Sequence, residues 1–490
     1  MDTIKVQGMK FVDSYGRERI FNGMNVCDKT NYIPGFVANE FSKDLFWVDE
    51  FKKLGFNIIR LGMTWSVVEP EKGKYNEEYL NSIEKIMDCC HEKGIYVYLD
   101  MHQDLFCNKT GAGDGAPDWA IDAGPYKFQK TKIVWAEGYF WGRAVHRAFD
   151  NFWTNKKIDN DGLLDCFADM WGHVADRFKD HPALFGFDVF NEPFPGKDGG
   201  KVFRKIIGKL ARVTLVDKRL SRCKLLKDAL GKEKIKVLDH YTGDIFHTIV
   251  CAGEKLINKF DTERYMPFLN KTASKIREST DKGVLFIENS YYSNLGIPCL
   301  NTPIEVNGKR EPQQCFSPHG YDLMVDTPLY KYASNSRVES IFGQHRVTQE
   351  RMQNPVLVGE WGGHSEGTEW FPHVEYLIDM FNRYKWSATY WAYWKELLDE
   401  EVMTILSRPY PKAVTGDIKE FCHDRKNNEF VLTYNQNKNY DVPTVIFAHK
   451  KVKEIIADGE TKIIPITDSA CDIEIVSGIG EHTVKVVFED

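Results

Sequence analysis

Eight short apolar, β-branched or aromatic runs, separated by stretches of helical character, constrain this chain more than any other feature. They are Phe21 to Val26, Asn57 to Leu61, Ile95 to Asp100, Leu184 to Phe190, Val284 to Ile287, Gln314 to Pro318, Pro355 to Gly359 and Ala388 to Ala392. Between them lie amphipathic stretches such as "FSKDLFWVDEFKKL" and "NEEYLNSIEKIMDCCHEKG", the second closing on Gly94 as a helix C-cap does. Near-continuous apolar strands signal a parallel sheet covered on its outside. Eight of them alternating with helices are the pattern of an α/β (β/α)8 TIM barrel. A doubly wound sheet is the alternative arrangement.

After "SRPYPKAVTG" (Ser407 to Gly416) the pattern changes to alternating runs such as "EFVLTYN", "PTVIFAHK" and "HTVKVVFED", bounded by turn residues. These predict a small C-terminal antiparallel β-sandwich, so the chain divides into a catalytic barrel over 1–408 and a sandwich domain over 409–490. A net charge of −7 gives no reason to expect nucleic acid. Eleven cysteines without a CxxC pair argue against a disulfide framework and a zinc site. No basic leader or long apolar run is present, and a cytoplasmic location is the expectation, although a secreted enzyme with its leader removed reads the same. A monomer without cofactor or metal is expected.

The largest insertion follows the fourth run. Lys197 to Asp244 carries 14 Lys or Arg against 6 Asp or Glu, and the inserted helices extend to about residue 250. Ile206, Ile207, Leu210, Val213, Leu225, Leu226 and Leu230 recur at roughly helical spacing, which predicts one or two basic amphipathic helices. Such helices favour anionic membrane surfaces; an ordinary lid helix with a solvated basic face is the plainer reading.

In a parallel barrel the C-terminal strand ends converge on one face, so polar groups just after strands are those able to meet. Arg60 ends the second run, "DMHQD" follows the third, "FNEP" the fourth, "SPHGY" the sixth and "GEWGG" the seventh, and the eighth carries Trp391. Glu192 and Glu360 read as the only glutamates directly after an apolar strand. Two such carboxylates suffice for glycoside cleavage: one kept protonated to serve the leaving oxygen, the other held ionised near a cation such as Arg60. Either alone reads more simply as a structural ion-pair partner.

The ordered set Arg60 in "IIRLG", His102 in "DMHQD", Asn191-Glu192-Pro193, His319 and Tyr321 in "SPHGY", Glu360 in "VGEWG" and Trp391 in "YWAYW" resembles glycoside hydrolase family 5 across the barrel. The resemblance implies Glu192 as acid/base and Glu360 as nucleophile of a retaining double displacement. It implies that Asn191 bonds the sugar 2-hydroxyl, that Arg60 and Tyr321 aim Glu360, that Trp391 floors the glycone, and that His102 and His319 complete the wall.

Further details, "GMNVCDKT" with Lys29, "DMHQD" with Asp104, "FNEPFPG" and "RPYP", resemble endoglycoceramidases, which release the glycan of a glycosphingolipid from ceramide. This resemblance implies that Lys29 and Asp104 grip the glucose next to ceramide. It also gives the basic insertion a use against an anionic membrane, and the aromatic run Tyr139 to Trp153 a use in receiving ceramide chains; helix packing is the other reading of that run. Relatives of the same architecture act on glucosylceramide or steryl glucosides. An exo-acting β-glucosidase, a cellulase-like β-glucanase and a catalytically silent glycolipid-binding protein therefore stay open as alternatives.

Overall fold

The computed structural model describes residues 1–29, 38–128, 135–231, 234–325, 327 and 329–489. Eight parallel strands form the barrel: Asn22–Cys27, Ile58–Thr64, Tyr96–His102, Leu184–Asp188, Val284–Glu288, Gln314–Ser317, Leu357–Val358 and Ser387–Tyr390. Neighbours in sequence are neighbours in the sheet, the eighth strand pairs with the first, and the parallel bridges Phe316 to Val356 and His319 to Glu360 join the sixth to the seventh. The second predicted helix spans Glu77–Lys93. Asn76 caps it by accepting from the Tyr79 amide, and Gly94 ends it at φ 74°, where a side chain would be strained.

Side chains alternate along each strand, and this sorts the barrel into an apolar floor and a charged upper layer. Ile58, Tyr96, Tyr98, Val284 and Phe286 pack together inside, closed from below by Ile4 and Phe11. Their neighbours Ile59, Leu61, Val97, Leu99, Leu285 and Ile287 face the helices in the main core. Tyr98 stacks on Phe286 with ring centroids 4.4 Å apart. One step up on the same inward faces come Arg60, Asp100 and Glu288, all buried.

Two antiparallel sheets follow the barrel. One pairs Asp417–Asp424, Glu429–Gln436, Gly480–Phe488 and Val452–Ile456. The other contains Tyr410–Val414, Thr444–Ala448, Cys471–Val476 and Glu460–Pro465, and it is extended by three strands from the chain's beginning, Lys5–Gln7, Lys10–Val12 and Glu18–Arg19. Arg19 pairs with Ala413, and Glu18 accepts the Ile418 amide at 2.8 Å. Residues assigned by sequence to the barrel thus complete the C-terminal sheet, whose edge strand Tyr410–Val414 would otherwise present unpaired backbone groups.

The insertion folds as helices Lys197–Val216, Arg222–Leu230 and Gly243–Val250. Val213, Leu220, Leu225, Tyr241, Ile245 and Ile249 form a small core of their own, with Ile206 and Leu210 against it. That core does not cover every apolar residue: Leu215 and Val216 are each 64% exposed, Leu226 61% and Leu230 77%. Among the described residues, no helix is long and apolar enough to cross a membrane.

Candidate active site

Arg60 is the centre of the mouth. Its guanidinium donates to Glu360 Oε1 at 2.6 Å, Glu288 Oε1 at 2.7 Å, Asp188 Oδ2 at 2.8 Å, Asn191 Oδ1 at 3.0 Å and Asn25 Oδ1 at 3.2 Å. Asp100 Oδ1 lies 2.9 Å away. Burial alone would disfavour its charge; the carboxylates of Asp100, Asp188, Glu288 and Glu360 outweigh burial and raise its pKa further.

Glu360 is held at both oxygens, by Arg60 at Oε1 and by the Tyr321 hydroxyl, which donates to Oε2 at 2.9 Å. Two donors on one carboxylate fix its orientation. The preceding Gly359 is required by close approach, since a Cβ there would sit 2.6 Å from His319 Nε2.

Glu192 sits in the opposite electrostatic setting. Burial, and then the Asp104 charge, push its carboxyl up to about 7 despite a 2.5 Å hydrogen bond from Asn294 Nδ2 to Oε1. His319 Nδ1 lies 3.1 Å from the same oxygen, and burial lowers that imidazole to about 3, so it is neutral at physiological pH. Glu192 has φ 45°, a left-handed backbone that a glutamate rarely adopts. Its carbonyl accepts from Gln103 Nε2 at 3.3 Å, and its amide donates to Glu288 Oε2 at 2.6 Å.

An oxygen of Glu192, an oxygen of Glu360 and a ring nitrogen of His319 all lie within 4.8 Å of one another. Carboxyls about 5 to 5.5 Å apart suit direct attack on the anomeric carbon, whereas inversion needs about 6.5 to 9.5 Å to admit a water. A carboxyl raised to about 7 beside one held by two donors, with oxygens within 4.8 Å, suits a double displacement.

Beside this pair, His102 Nδ1 meets Asp100 Oδ2 at 2.9 Å, and the His102 ring stacks against Trp391 at 5.3 Å and 11°. Lys29 bonds Asp104 and lies 4.6 Å over the Trp391 ring. Burial would raise the Asp104 carboxyl, but Lys29 and His102 hold it below the usual range. Burial and the Asp104 charge push Asp114 up to about 6. His102, Asp104 and Asp114, and separately Asp100, Asp188 and Glu288, have ligand atoms close enough to hold an ion. Each group already faces a protein cation, Lys29 or Arg60, which occupies the electrostatic role a metal would have.

All ten residues named from sequence therefore meet at one mouth: Arg60, Asn191 and Glu360 are directly bonded through the guanidinium, and His102, Trp391, Lys29 and Asp104 form the adjoining wall. The expectation of only two strand-end glutamates does not hold. Glu288 closes the fifth strand one residue beyond the apolar run, on the inward face of Val284 and Phe286. Asp100 and Asp188 were also missed as site groups; their signal is a carboxylate inside an otherwise apolar run. Asn294 lies in the short 3₁₀ helix Tyr291–Leu295 after the fifth strand and had none. The aromatic run from Tyr139 is mostly packing: Tyr139, Phe149, Phe152 and Trp153 are buried, because the helix Arg143–Trp153 turns its apolar side to the core. Trp141 stays 43% exposed, and its ring meets Phe203 of the insertion at 5.8 Å.

The family model for cellulases of glycosyl hydrolase family 5 matches residues 12–397. The chain belongs to glycoside hydrolase family 5. The family 5 C-terminal domain matches residues 408–485. Among characterised family 5 relatives, an endoglycoceramidase of Cyanea nozakii is 36% identical over 219 residues, 40% of this chain and 42% of that protein. An ergosteryl-β-glucosidase of Saccharomyces cerevisiae is 38% identical over 247 residues, 40% of this chain and 32% of that one. Matches to three endoglycoceramidases span 37 to 42% of the length of those relatives. The solved endo-glycoceramidase II from Rhodococcus sp. shares the fold with a TM-score of 0.73 at 21% identity, covering 98% of this chain and 99% of that one.

Proposed function

We propose that this protein is a retaining β-glycosidase that releases the glycan of a glycosphingolipid from ceramide. The observation that carries the reading is the pair itself: a Glu192 whose carboxyl burial raises to about 7 and a doubly held Glu360, with oxygens within 4.8 Å. Glu360 attacks the anomeric carbon while Glu192 gives its proton to the ceramide oxygen. Once Glu360 is esterified its charge is gone, so Glu192 ionises more readily and can take a proton from the water that releases the sugar. Asn191 bonds the 2-hydroxyl, Trp391 lies under the sugar, and Lys29, Asp104, His102 and His319 bind its hydroxyls. The lipid part of the reading is supported by the endoglycoceramidase relatives and by the exposed Leu215, Val216, Leu226 and Leu230 beside a strongly basic surface. That combination fits peripheral contact of 197–244 with an anionic membrane.

Mass spectrometry of products from lactosylceramide, a ganglioside, glucosylceramide and a steryl glucoside tests the reading. An intact oligosaccharide plus ceramide is the expected result. Activity confined to monoglycosyl lipids would support instead an exo-acting glucosidase, the reading favoured by the similarity to the ergosteryl-β-glucosidase.

A further inference from the structure

Four carboxylates surround the single Arg60 guanidinium, yet a hold on the nucleophile needs only one of them. Asp100 also orients His102, and Asp188 reaches the Arg60 Nε. Glu288 is different because it bonds in two directions. Its Oε1 accepts from Arg60 Nη2 at 2.7 Å and its Oε2 accepts the Glu192 amide at 2.6 Å. The same Arg60 holds Glu360. An unbroken chain of hydrogen bonds therefore runs from the nucleophile carboxylate through Arg60 and Glu288 to the backbone of the acid/base residue.

We propose that Glu288 is a positioning residue, which fixes Glu192 in its left-handed conformation and so sets the spacing and aim of the two reacting carboxylates. A non-glycine residue in this region is strained and persists only where its surroundings over-determine it. Here Glu288 holds the amide and Gln103 the carbonyl. The charges facing Glu288 agree with this use. Arg60 comes from strand two, Asp100 from strand three and Asp188 from strand four. His319 Nε2, beyond strand six, is 3.5 Å away, and Tyr265 approaches from the helical side. Burial, and then the charge of the neighbouring Asp188, raise the Glu288 carboxyl. Both Glu288 oxygens accept, one from Arg60 and one from the Glu192 amide. Glutamine cannot reproduce this, because its amide nitrogen would turn a donor toward one of two donors.

This inference rests on the acid/base role proposed for Glu192, and its test separates the two. Turnover of lactosylceramide, whose leaving group needs a proton, is compared with that of 2,4-dinitrophenyl β-lactoside, whose leaving group does not. Glu288→Gln is expected to lower the first about a hundredfold, as displacement of a catalytic group by about 1 Å does, and the second by tenfold or less. It should also move the basic limb of the pH profile. Asp188→Asn touches Arg60 but not the Glu192 amide, and should lower both substrates alike. If Glu288→Gln does not fold, Glu288→Asp, which withdraws the carboxylate from the Glu192 amide, carries the same comparison. Equal losses on both substrates with an unmoved pH profile would mean that Glu288 acts only through Arg60, and would overturn the proposal. A parent enzyme that hydrolyses neither substrate would overturn the functional reading itself, and this inference with it.

Discussion

The barrel mouth and the basic insertion are both rich in charge, but they spend it in opposite ways. At the mouth the charges around Arg60 are buried and bonded: Arg60 alone meets four carboxylates, and Glu192 and Glu360 are each held by neighbouring groups. In the insertion, Lys218, Arg219, Arg222 and Lys224 point to solvent beside Leu226 and Leu230, which no protein surface covers. Buried networks of this kind fix geometry and shift pKa values, whereas exposed charge among exposed apolar side chains suits a surface supplied by something else. One region suits chemistry at fixed distances, and the other suits the membrane contact proposed for 197–244.

The largest effect should come from the mouth. Glu360→Gln is expected to cut turnover of every substrate by about 10⁴-fold or more, measured as kcat on both glycolipid and aryl lactoside. A variant that turns over glycolipid like the parent would deny Glu360 the nucleophile's role, and a parent that binds glycolipid without turnover would instead leave a binding protein.

Glu192→Gln comes next, with a loss of about 10² to 10⁴-fold on glycolipid and a much smaller one on the dinitrophenyl substrate. Since Glu192 must begin protonated, parent activity should fall as pH rises through about 7, and this limb should vanish in the variant. The same group has a stability signature. Its folded pKa is raised from 4.5 to about 7, so its contribution is fully present below pH 4.5 and is lost as pH climbs to 7. Glu192→Gln should therefore gain, relative to the parent, about 3 kcal/mol between pH 4 and pH 8 in denaturant unfolding. A variant with the parent's pH slope would deny that burial keeps this carboxyl neutral.

The insertion should respond to the assay format. Replacing Lys218, Arg219, Arg222 and Lys224 by glutamine is expected to lower turnover on anionic vesicles about tenfold and leave detergent-dispersed substrate unchanged. Equal loss in both assays would erase the contrast between the two regions. Smallest is Leu226→Ser with Leu230→Ser. Both side chains are exposed, so stability should stay within about 0.5 kcal/mol while vesicle turnover drops a few-fold.

The barrel was legible in sequence because a buried parallel strand is apolar on both faces, and each predicted run contains an observed strand or most of one. Residues immediately after strands were legible for the same reason. Less visible was the charged layer inside the barrel. Asp188 sits within "LFGFDVF" as an interruption whose meaning depends on strand register. Glu288 was lost by ending the fifth strand at Ile287. Asn294 reaches Glu192 from the 3₁₀ helix Tyr291–Leu295, which is too short to show a periodicity. The pairing of Glu18–Arg19 with Val414 and Ala413 joins segments far apart in the chain, and no local pattern reports it. In the insertion, helical spacing identified amphipathic helices, yet only the packing separates Leu225, inside the small core, from its exposed neighbour Leu226.

The most direct test of the central claim is to trap the reaction half-way. A 2-deoxy-2-fluoro β-lactoside with an activated leaving group slows release of the covalent intermediate, and peptide mass spectrometry can then locate the sugar. A lactosyl-type adduct on the peptide bearing Glu360, absent from Glu360→Gln, is the predicted result. Turnover without any adduct, or an adduct on Glu192, would contradict the assignment of the two carboxylates.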